Sequence, residues 1–363
     1  MNIHKHHPIR IFAISSILTL ALGLGVLWSE GLGGLWLFII LVVLEVTFSF
    51  DNAVVNSKVL ATMSEFWQKI FLTVGIFIAV FVVRFLLPIV IVMIAAGTSF
   101  MDVVDLALNR PDEYSELLHN AAPMIDAFGG AFLMMIGVYY FMDRQKDVHW
   151  IKSIEGRLSG LGRVQGLKLI FMSAVALLLY FTVDDAHKNV VLISSAAGII
   201  LHVGLGWFAA MFEKNEEKLE ESERSSSKGK GAAIKKRVGW AAFASFAYLE
   251  VLDASFSLDG VIGAFAITSS IVLIIAGLGA GAVWVRSLTV YLLRTGTLMK
   301  YKYLEHGAHW AILALGLVMI VKLYHVEPPE WVTGSLGLVF IITAVVSSVI
   351  EKRRQDALAS TAV

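Results

Sequence analysis

The sequence predicts an all-α, polytopic membrane protein of about ten transmembrane helices, built on an inverted-topology repeat of three helices plus three. Three observations predict this. The 363 residues are 57% hydrophobic and 16% charged, whereas a soluble domain carries about 25% charged residues. Apolar runs of about 20 residues, the length that crosses a hydrocarbon core, recur along the chain. The basic residues fall in alternate connections between those runs.

Composition also excludes function classes. Lys plus Arg number 29 and Asp plus Glu number 29, so the basic excess of a nucleic-acid binder is absent. The mean hydropathy of +0.76 excludes a disordered or fibrous chain. Zero cysteine excludes a disulfide framework, a thiolate metal site and a cysteine nucleophile.

The predicted spans are 11–28, 35–60, 70–96, 124–142, 167–184, 189–212, 238–267, 271–293, 307–325 and 332–350. The first reads as an uncleaved anchor, because no small-x-small cleavage site follows it. With the N-terminus in the cytoplasm, the outer connections hold only Arg110 and Lys188. The remaining connections and both tails carry nearly all other bases, which predicts cytoplasmic termini. The first membrane half is 1–212, with its repeat core at 35–142. A charged cytoplasmic linker follows at 213–237. The second half is 238–350, with its repeat core at 238–325, and 351–363 is a cytoplasmic tail. The linker reads as a solvated connector, and the acidic outer stretch 97–123 reads as a solvated loop.

Three consecutive spans repeat. Glu45, Phe48-Ser49 and Asp51 match Asp253, Phe256-Ser257 and Asp259. Gly75 precedes Arg84 as Gly277 precedes Arg286. Asp126 precedes Gly137 as Glu305 precedes Gly316. The copies lie an odd number of spans apart, so the repeat is inverted. Inverted repeats carrying polar groups at mid-membrane are the architecture of many secondary transporters.

A carboxylate at membrane depth costs several kcal/mol, roughly 2.5–3.5 on insertion scales. Such acids need a cation, a proton or a basic partner. Glu45, Ser49, Asn52 and Asn56 share one helical face, as do Glu250, Asp253 and Ser257. Asp51 and Asp259 fall about 120° away on an unbroken helix. They therefore face another neighbour, or the helices are interrupted near Ser49–Asn52 and Ser257–Gly260, and Asp259-Gly260 with Gly263 makes interruption plausible in the second copy. An all-oxygen donor set suits Mn²⁺, Mg²⁺ or Ca²⁺. The candidate cation site is Glu45, Asp51, Asp253 and Asp259 with Asn52 as first neutral ligand. Ser49, Asn56, Glu250 and Ser257 support it. Two other readings stay open: a proton relay, and buried ion pairs with Arg84 and Arg286.

Candidate gates stand at the span ends. Glu305, His306 and His309 open span 9 from inside, and Asp126 opens span 4 from outside. A dipole-favoured acid at a helix start is the simpler reading of Asp126 and Glu305. Asp184 and Asp185 end span 5, as an access site or as a tight interfacial turn. No nucleophile triad, phosphate loop or HExxH motif is present, so no enzyme is expected.

Glu45-x-x-Phe48-Ser49-x-Asp51-Asn52 resembles the acidic signature of the tellurium-resistance C (TerC) family of bacterial integral membrane proteins. The runs Glu45 to Lys58, Thr182 to Asn189, Glu250 to Phe265 and Tyr303 to Trp310 look most like a divergent branch of that family, long described only as a domain of unknown function. The resemblance implies a multi-pass inner-membrane protein of the lysine-exporter superfamily, linked with manganese export and tellurite resistance. It implies that Glu45, Asp51, Asn52, Asp253 and Asp259 line the ion site. Phe48 stands where the common pattern has Leu, and Gly260-Val261 follow Asp259 where much of the family has Ser and Pro. The expectation is a secondary transporter exporting a divalent cation, Mn²⁺ before others, by alternating access. Its partners would be that ion and the bilayer, with no nucleic acid and no resident cofactor. The alternative is a non-transport component of a tellurite-resistance or envelope-stress complex with structural acids.

Overall fold

The structure is a computed structural model describing residues 8–143, 146, 148–164, 166–224, 236–265, 267–296, 300–326 and 328–361. The side chains of Phe48, Leu258 and Asp259 lie outside the described set. The described residues are helical apart from turns and one isolated bridge between Met63 and Arg237.

Helix α1 spans Pro8–Phe48, 41 residues. A straight helix of that length would measure about 60 Å, twice a bilayer core. It is not straight. Gly31 has φ 69° and ψ −162°, a conformation open in practice only to glycine. A Cβ on Gly23 would meet the Phe38 ring at 3.4 Å, so the two arms fold back on each other as a hairpin. Ser49 (φ −97°, ψ 14°) then separates α1 from α2, Phe50–Ala61.

The chain continues as α3 (Glu65–Phe77), a π-helical segment (Ile78–Leu86) and α4 (Leu87–Ala96) on one course. Two short helices follow, α5 (Phe100–Asn109) and α6 (Pro111–Asn120). The expected solvated loop at 97–123 is therefore helical, and half-buried. Ser99 caps α5 by accepting from the Asp102 N–H, and Pro111 opens α6 at a position where a missing N–H costs nothing. Val103, Leu106, Tyr114 and Leu118 then share an inward face.

Next come α7 (Ala122–Phe141), α8 (Lys152–Leu161), α9 (Leu167–Thr182) and α10 (Lys188–Arg224). The second half holds α11 (Gly239–Phe265), α12 (Ile271–Thr295), α13 (Leu304–Lys322) and α14 (Glu330–Thr361). The expected interruption near Ser257–Gly260 does not occur, since α11 runs unbroken through it. The interruption expected near Ser49–Asn52 does occur, at Ser49. It is a single residue, and Ser49 N–H still reaches the Glu45 carbonyl at 3.0 Å.

Among the described residues eight helices are long and apolar enough to cross a bilayer, the folded α1 among them, and α9 is a shorter apolar helix. The architecture is that of a polytopic membrane protein. Large apolar side chains face outward in quantity: Trp28 is 92% exposed, Phe181 78% and Ile200 69%. In water this surface would drive association; against lipid it is the expected exterior.

Lipid offers little hydrophobic drive between helices, so packing depends on small residues and close approach. In α12, Gly277, Gly279 and Gly281 receive Leu41, Val80 and Glu45. Between α7 and α13, a Cβ on Gly130 would lie 3.1 Å from the Gly316 carbonyl, and one on Gly316 3.2 Å from the Gly130 carbonyl. The two membrane halves are thus one body, and the main neighbour of α1 is α12.

Connections gather at the two ends of the bundle. At one end Arg237 N–H donates to the Thr62 carbonyl at 2.7 Å, Lys58 pairs with Glu305, and Glu155 meets His306. At the other, Thr182 Oγ1 lies 2.6 Å from the Tyr324 hydroxyl, and the rings of His187 and His325 meet edge to face.

Candidate functional site

The short helix α2 is the centre of the site. Asp51, Asn52, Ala53, Val54, Val55, Asn56 and Ser57 are buried consecutively, all round the helix. A helix buried on every face is usually apolar, yet four of these seven residues are polar. Its neighbours are α11, α12, α13 and α14.

Around it runs a chain of buried ions. Glu45 Oε1 accepts from Arg84 Nη2 at 2.5 Å and from Ser49 Oγ at 2.9 Å. Arg84 Nη1 donates to the Ala79 carbonyl at 2.6 Å, inside the π-helical segment, and lies 3.9 Å from Asp253 Oδ2. Asp253 Oδ2 is 3.5 Å from Arg286 Nη2, and Asp253 Oδ1 accepts from Asn52 Nδ2 at 2.8 Å. Arg286 closes the chain with a two-point pair to Glu250, 3.0 Å at each contact. Its guanidinium also donates to the Phe71 carbonyl at 3.1 Å and sits over the Phe71 ring at 3.9 Å. All five charged side chains are at least nine-tenths buried.

Local sequence explains the assembly. Glycine at 281 lets Glu45 approach α12, where a Cβ would be 2.5 Å from the Glu45 Cβ. Glycine at 75 leaves room for the Arg286–Glu250 pair, since a Cβ would be 2.5 Å from Arg286 Nη1. The π-helical turn carries Arg84, and such turns concentrate at functional sites.

The structure therefore joins Glu45, Asn52, Asp253, Glu250, Ser49, Arg84 and Arg286 in one network. Asp51 stands apart from it. Asp51 is 3% exposed and accepts from the Asn52 backbone N–H at 2.9 Å. A Cβ on Gly337 of α14 would lie 3.2 Å from its carboxyl group. No guanidinium or ammonium pairs with it among the described residues. The Asp259 side chain lies outside the described residues, and Gly260 beside it faces Glu45 Oε2.

Several buried polar atoms have no hydrogen-bond partner: Asn52 Oδ1, Asn56 Oδ1, Ser257 Oγ, Thr333 Oγ1 and Arg84 Nε. An orphaned buried acceptor costs roughly 1–3 kcal/mol. The oxygens are donors for a hard or borderline cation. Among the described residues no three acidic or histidine side chains converge closely enough to hold a metal. A cation here would rest on one or two carboxylates supplemented by amide and hydroxyl oxygens.

The candidate gates divide between the two ends. Glu305 pairs with Lys58 of α2, and His309 stacks on Tyr140 with centroids 3.5 Å apart. Asp126 lines a cavity of about 530 Å³ at the opposite end, together with His119, His187, His325 and Lys322. Asp184 and Asp185 form a turn over which the Lys188 N–H reaches the Asp184 carbonyl at 3.1 Å, and Asp185 pairs with Lys188 in solvent.

Sequence reasoning missed Glu155. Its carboxylate accepts from His306 Nδ1 at 2.7 Å, Trp310 Nε1 at 3.0 Å and the Trp150 N–H at 3.0 Å. Burial pushes the carboxyl up, but these donors outweigh burial and hold it at about 2. Nothing in the stretch around Glu155 marks it, because its partners arrive from α13. Lys146 was also unmarked; it lies over the Tyr140 ring at 3.3 Å. Burial lowers its ammonium to about 8.

No curated protein and no solved structure matches the chain. The model of one family, described as "Protein of unknown function (DUF475)", matches residues 50–355, a stretch that begins at α2 and takes in Arg84, Asp253 and Arg286. The chain belongs to that family.

Proposed function

We propose that the chain is a secondary transporter that exports a divalent metal cation, Mn²⁺ first, through a bacterial inner membrane. Counting the α1 hairpin as two crossings and α9 as one gives ten, with both termini cytoplasmic. The observation that carries the reading is the surplus of buried oxygen over buried positive charge around α2. Among the described residues Glu45, Glu250 and Asp253 share two guanidinium groups, Asp51 has none, and the oxygens of Asn52, Asn56 and Ser257 are unpartnered. At membrane depth that surplus favours a cargo cation or a proton. The all-oxygen donors favour Mn²⁺, Mg²⁺ or Ca²⁺ over Cu⁺. The resemblance to the TerC signature puts Mn²⁺ first.

The packing of α7 against α13 supports an inverted repeat. Gly137 receives Leu313 and Gly316 receives Met134, so each helix offers the other the same pair of positions. Two such halves rocking about a fixed site give alternating access. The Lys58–Glu305 pair and the Tyr140–His309 stack would close the cytoplasmic side. The cavity at Asp126 would open to the outside.

The second reading is a structural role within a tellurite-resistance or envelope-stress complex. It is favoured by the completeness of the Arg286–Glu250–Asp253 contacts. One experiment separates the two. Wild type, Asp51→Asn and Asn52→Ala are expressed in manganese-sensitised cells, and total Mn, Mg, Ca and Zn are measured. Transport predicts lower Mn in wild type than in either variant at equal protein level. If all three strains hold equal metal and the variants keep their partners in pull-down, the structural reading stands.

A further inference from the structure

The end of the bundle that carries the Glu155–His306 contact holds a second cavity, of about 530 Å³. Its lining is polar: His149, Lys152, Gly156, Lys302, Tyr303 and Glu351. Two lysines face one carboxylate. Lys302 Nζ lies 3.7 Å from Glu351 Oε1, and Lys152 has no hydrogen bond or ion pair among the described residues. Among the described residues the cavity therefore presents a net positive charge.

In the proposed topology this end is the cytoplasmic membrane face. Helix α8 is fastened at this end by Glu155 to His306 and Trp310 of α13. Its apolar residues Ile154 and Leu161 are 46% and 51% exposed, on one side of the helix. Arg157 and Arg163 flank them. An amphipathic helix with exposed apolar residues beside bases lies in the headgroup plane, with its apolar side among acyl chains. A basic pocket between helices on that plane suits an anionic headgroup.

We propose that this cavity binds the headgroup of an anionic phospholipid, its phosphate between Lys152 and Lys302. Tyr303 supplies a wall, and the open space above Gly156, where a Cβ would meet nothing within 4 Å, admits the headgroup. The bound lipid bridges α8 to the start of α13 and the end of α14. The proposal rests on the cavity and its charge, and stands or falls independently of metal transport.

The test uses full-length protein, stripped of lipid in neutral detergent. It is titrated separately with phosphatidylglycerol, phosphatidylcholine and inorganic phosphate. Native mass spectrometry counts retained ligand, and the thermal midpoint is followed in parallel. Phosphatidylglycerol should bind and raise the midpoint; the other two should not. Lys152→Gln and Lys302→Gln should each weaken binding about fivefold, the equivalent of ~1 kcal/mol per basic residue. Glu351→Gln should strengthen it, which a misfolded variant could not do. Lys69→Gln, an exposed base outside the cavity, should change nothing. Equal binding by the double lysine variant overturns the site. Equal binding of phosphatidylcholine overturns the anionic specificity. Full protection by inorganic phosphate alone overturns the lipid assignment.

Discussion

Arg84 and Arg286 occupy matching places in the sequence but not in the structure. Arg286 makes a two-point pair with Glu250, a contact to Asp253, a carbonyl bond and a ring contact. Arg84 pairs with Glu45 through one nitrogen, stands 3.9 Å from Asp253, bonds one carbonyl, and leaves Nε unpartnered. The cause is one residue. Three positions before Asp253 stands Glu250; three positions before Glu45 stands Val42. The second copy thus carries an extra acid that locks its arginine. The first copy keeps unmet polar groups around α2. One side of the core is paired throughout, and the other holds the unpaired oxygens on which the proposed transport rests.

The largest effect should come from breaking the locked side. Arg286→Leu strands Glu250, and removing one partner of a buried pair costs roughly 3–5 kcal/mol. Adding Glu250→Val, which copies Val42, should recover most of that loss in a denaturation midpoint. If the double variant is no more stable than the single, Glu250 and Arg286 are not a unit.

Two glycines sharpen the comparison at the next level. Gly281→Ala forces a methyl group against the Glu45 Cβ and Cγ, 2.5 and 2.6 Å away, and should cost about 1–3 kcal/mol. Gly75→Ala meets the movable ends of Arg286 and Glu250. Its cost should shrink in the Arg286→Leu/Glu250→Val background, whereas that of Gly281→Ala should persist. Equal costs in both backgrounds would contradict the assignment.

Glu155 provides a control outside the embedded helices. Its folded carboxyl titrates at about 2 against an ordinary 4.5. A depressed carboxyl contributes stability that is complete above the ordinary value and is lost as pH falls through the folded one. Wild-type stability should therefore drop between about pH 4.5 and 2 by more than that of Glu155→Gln. At neutral pH the same substitution should cost about 1–3 kcal/mol, because His306 and Trp310 lose a charged acceptor. Parallel pH profiles would show that this contact does not hold α8.

The smallest stability change belongs to Asp51→Asn. Asp51 has no basic partner among the described residues, so neutralising it should be neutral or slightly stabilising, within about 0.5 kcal/mol. Asp253→Asn should cost more. A large loss of stability from Asp51→Asn, with cellular metal unchanged, would place Asp51 with the structural acids.

The acids, both arginines and the glycines that seat them stand at readable spacings, because a helix places a residue's neighbours by count alone. For the same reason the apolar runs locate the membrane helices. The arrest of α2 among its neighbours, the choice of Ser49 over Ser257–Gly260 for the break, and the folding of 97–123 into α5 and α6 were not readable. Each depends on a surface contributed by a distant segment. Glu155 is the plainest case, since its two side-chain donors lie on α13.

By itself the sequence determined that this chain is a bundle of apolar helices carrying a few acids at depth. Hydrocarbon tolerates no unpaired backbone polar group, and only helices satisfy their own. Which acids are neutralised was decided by tertiary structure. A guanidinium pairs with whatever carboxylate comes within about 4 Å, and that distance is set by helix packing across small residues rather than by separation along the chain.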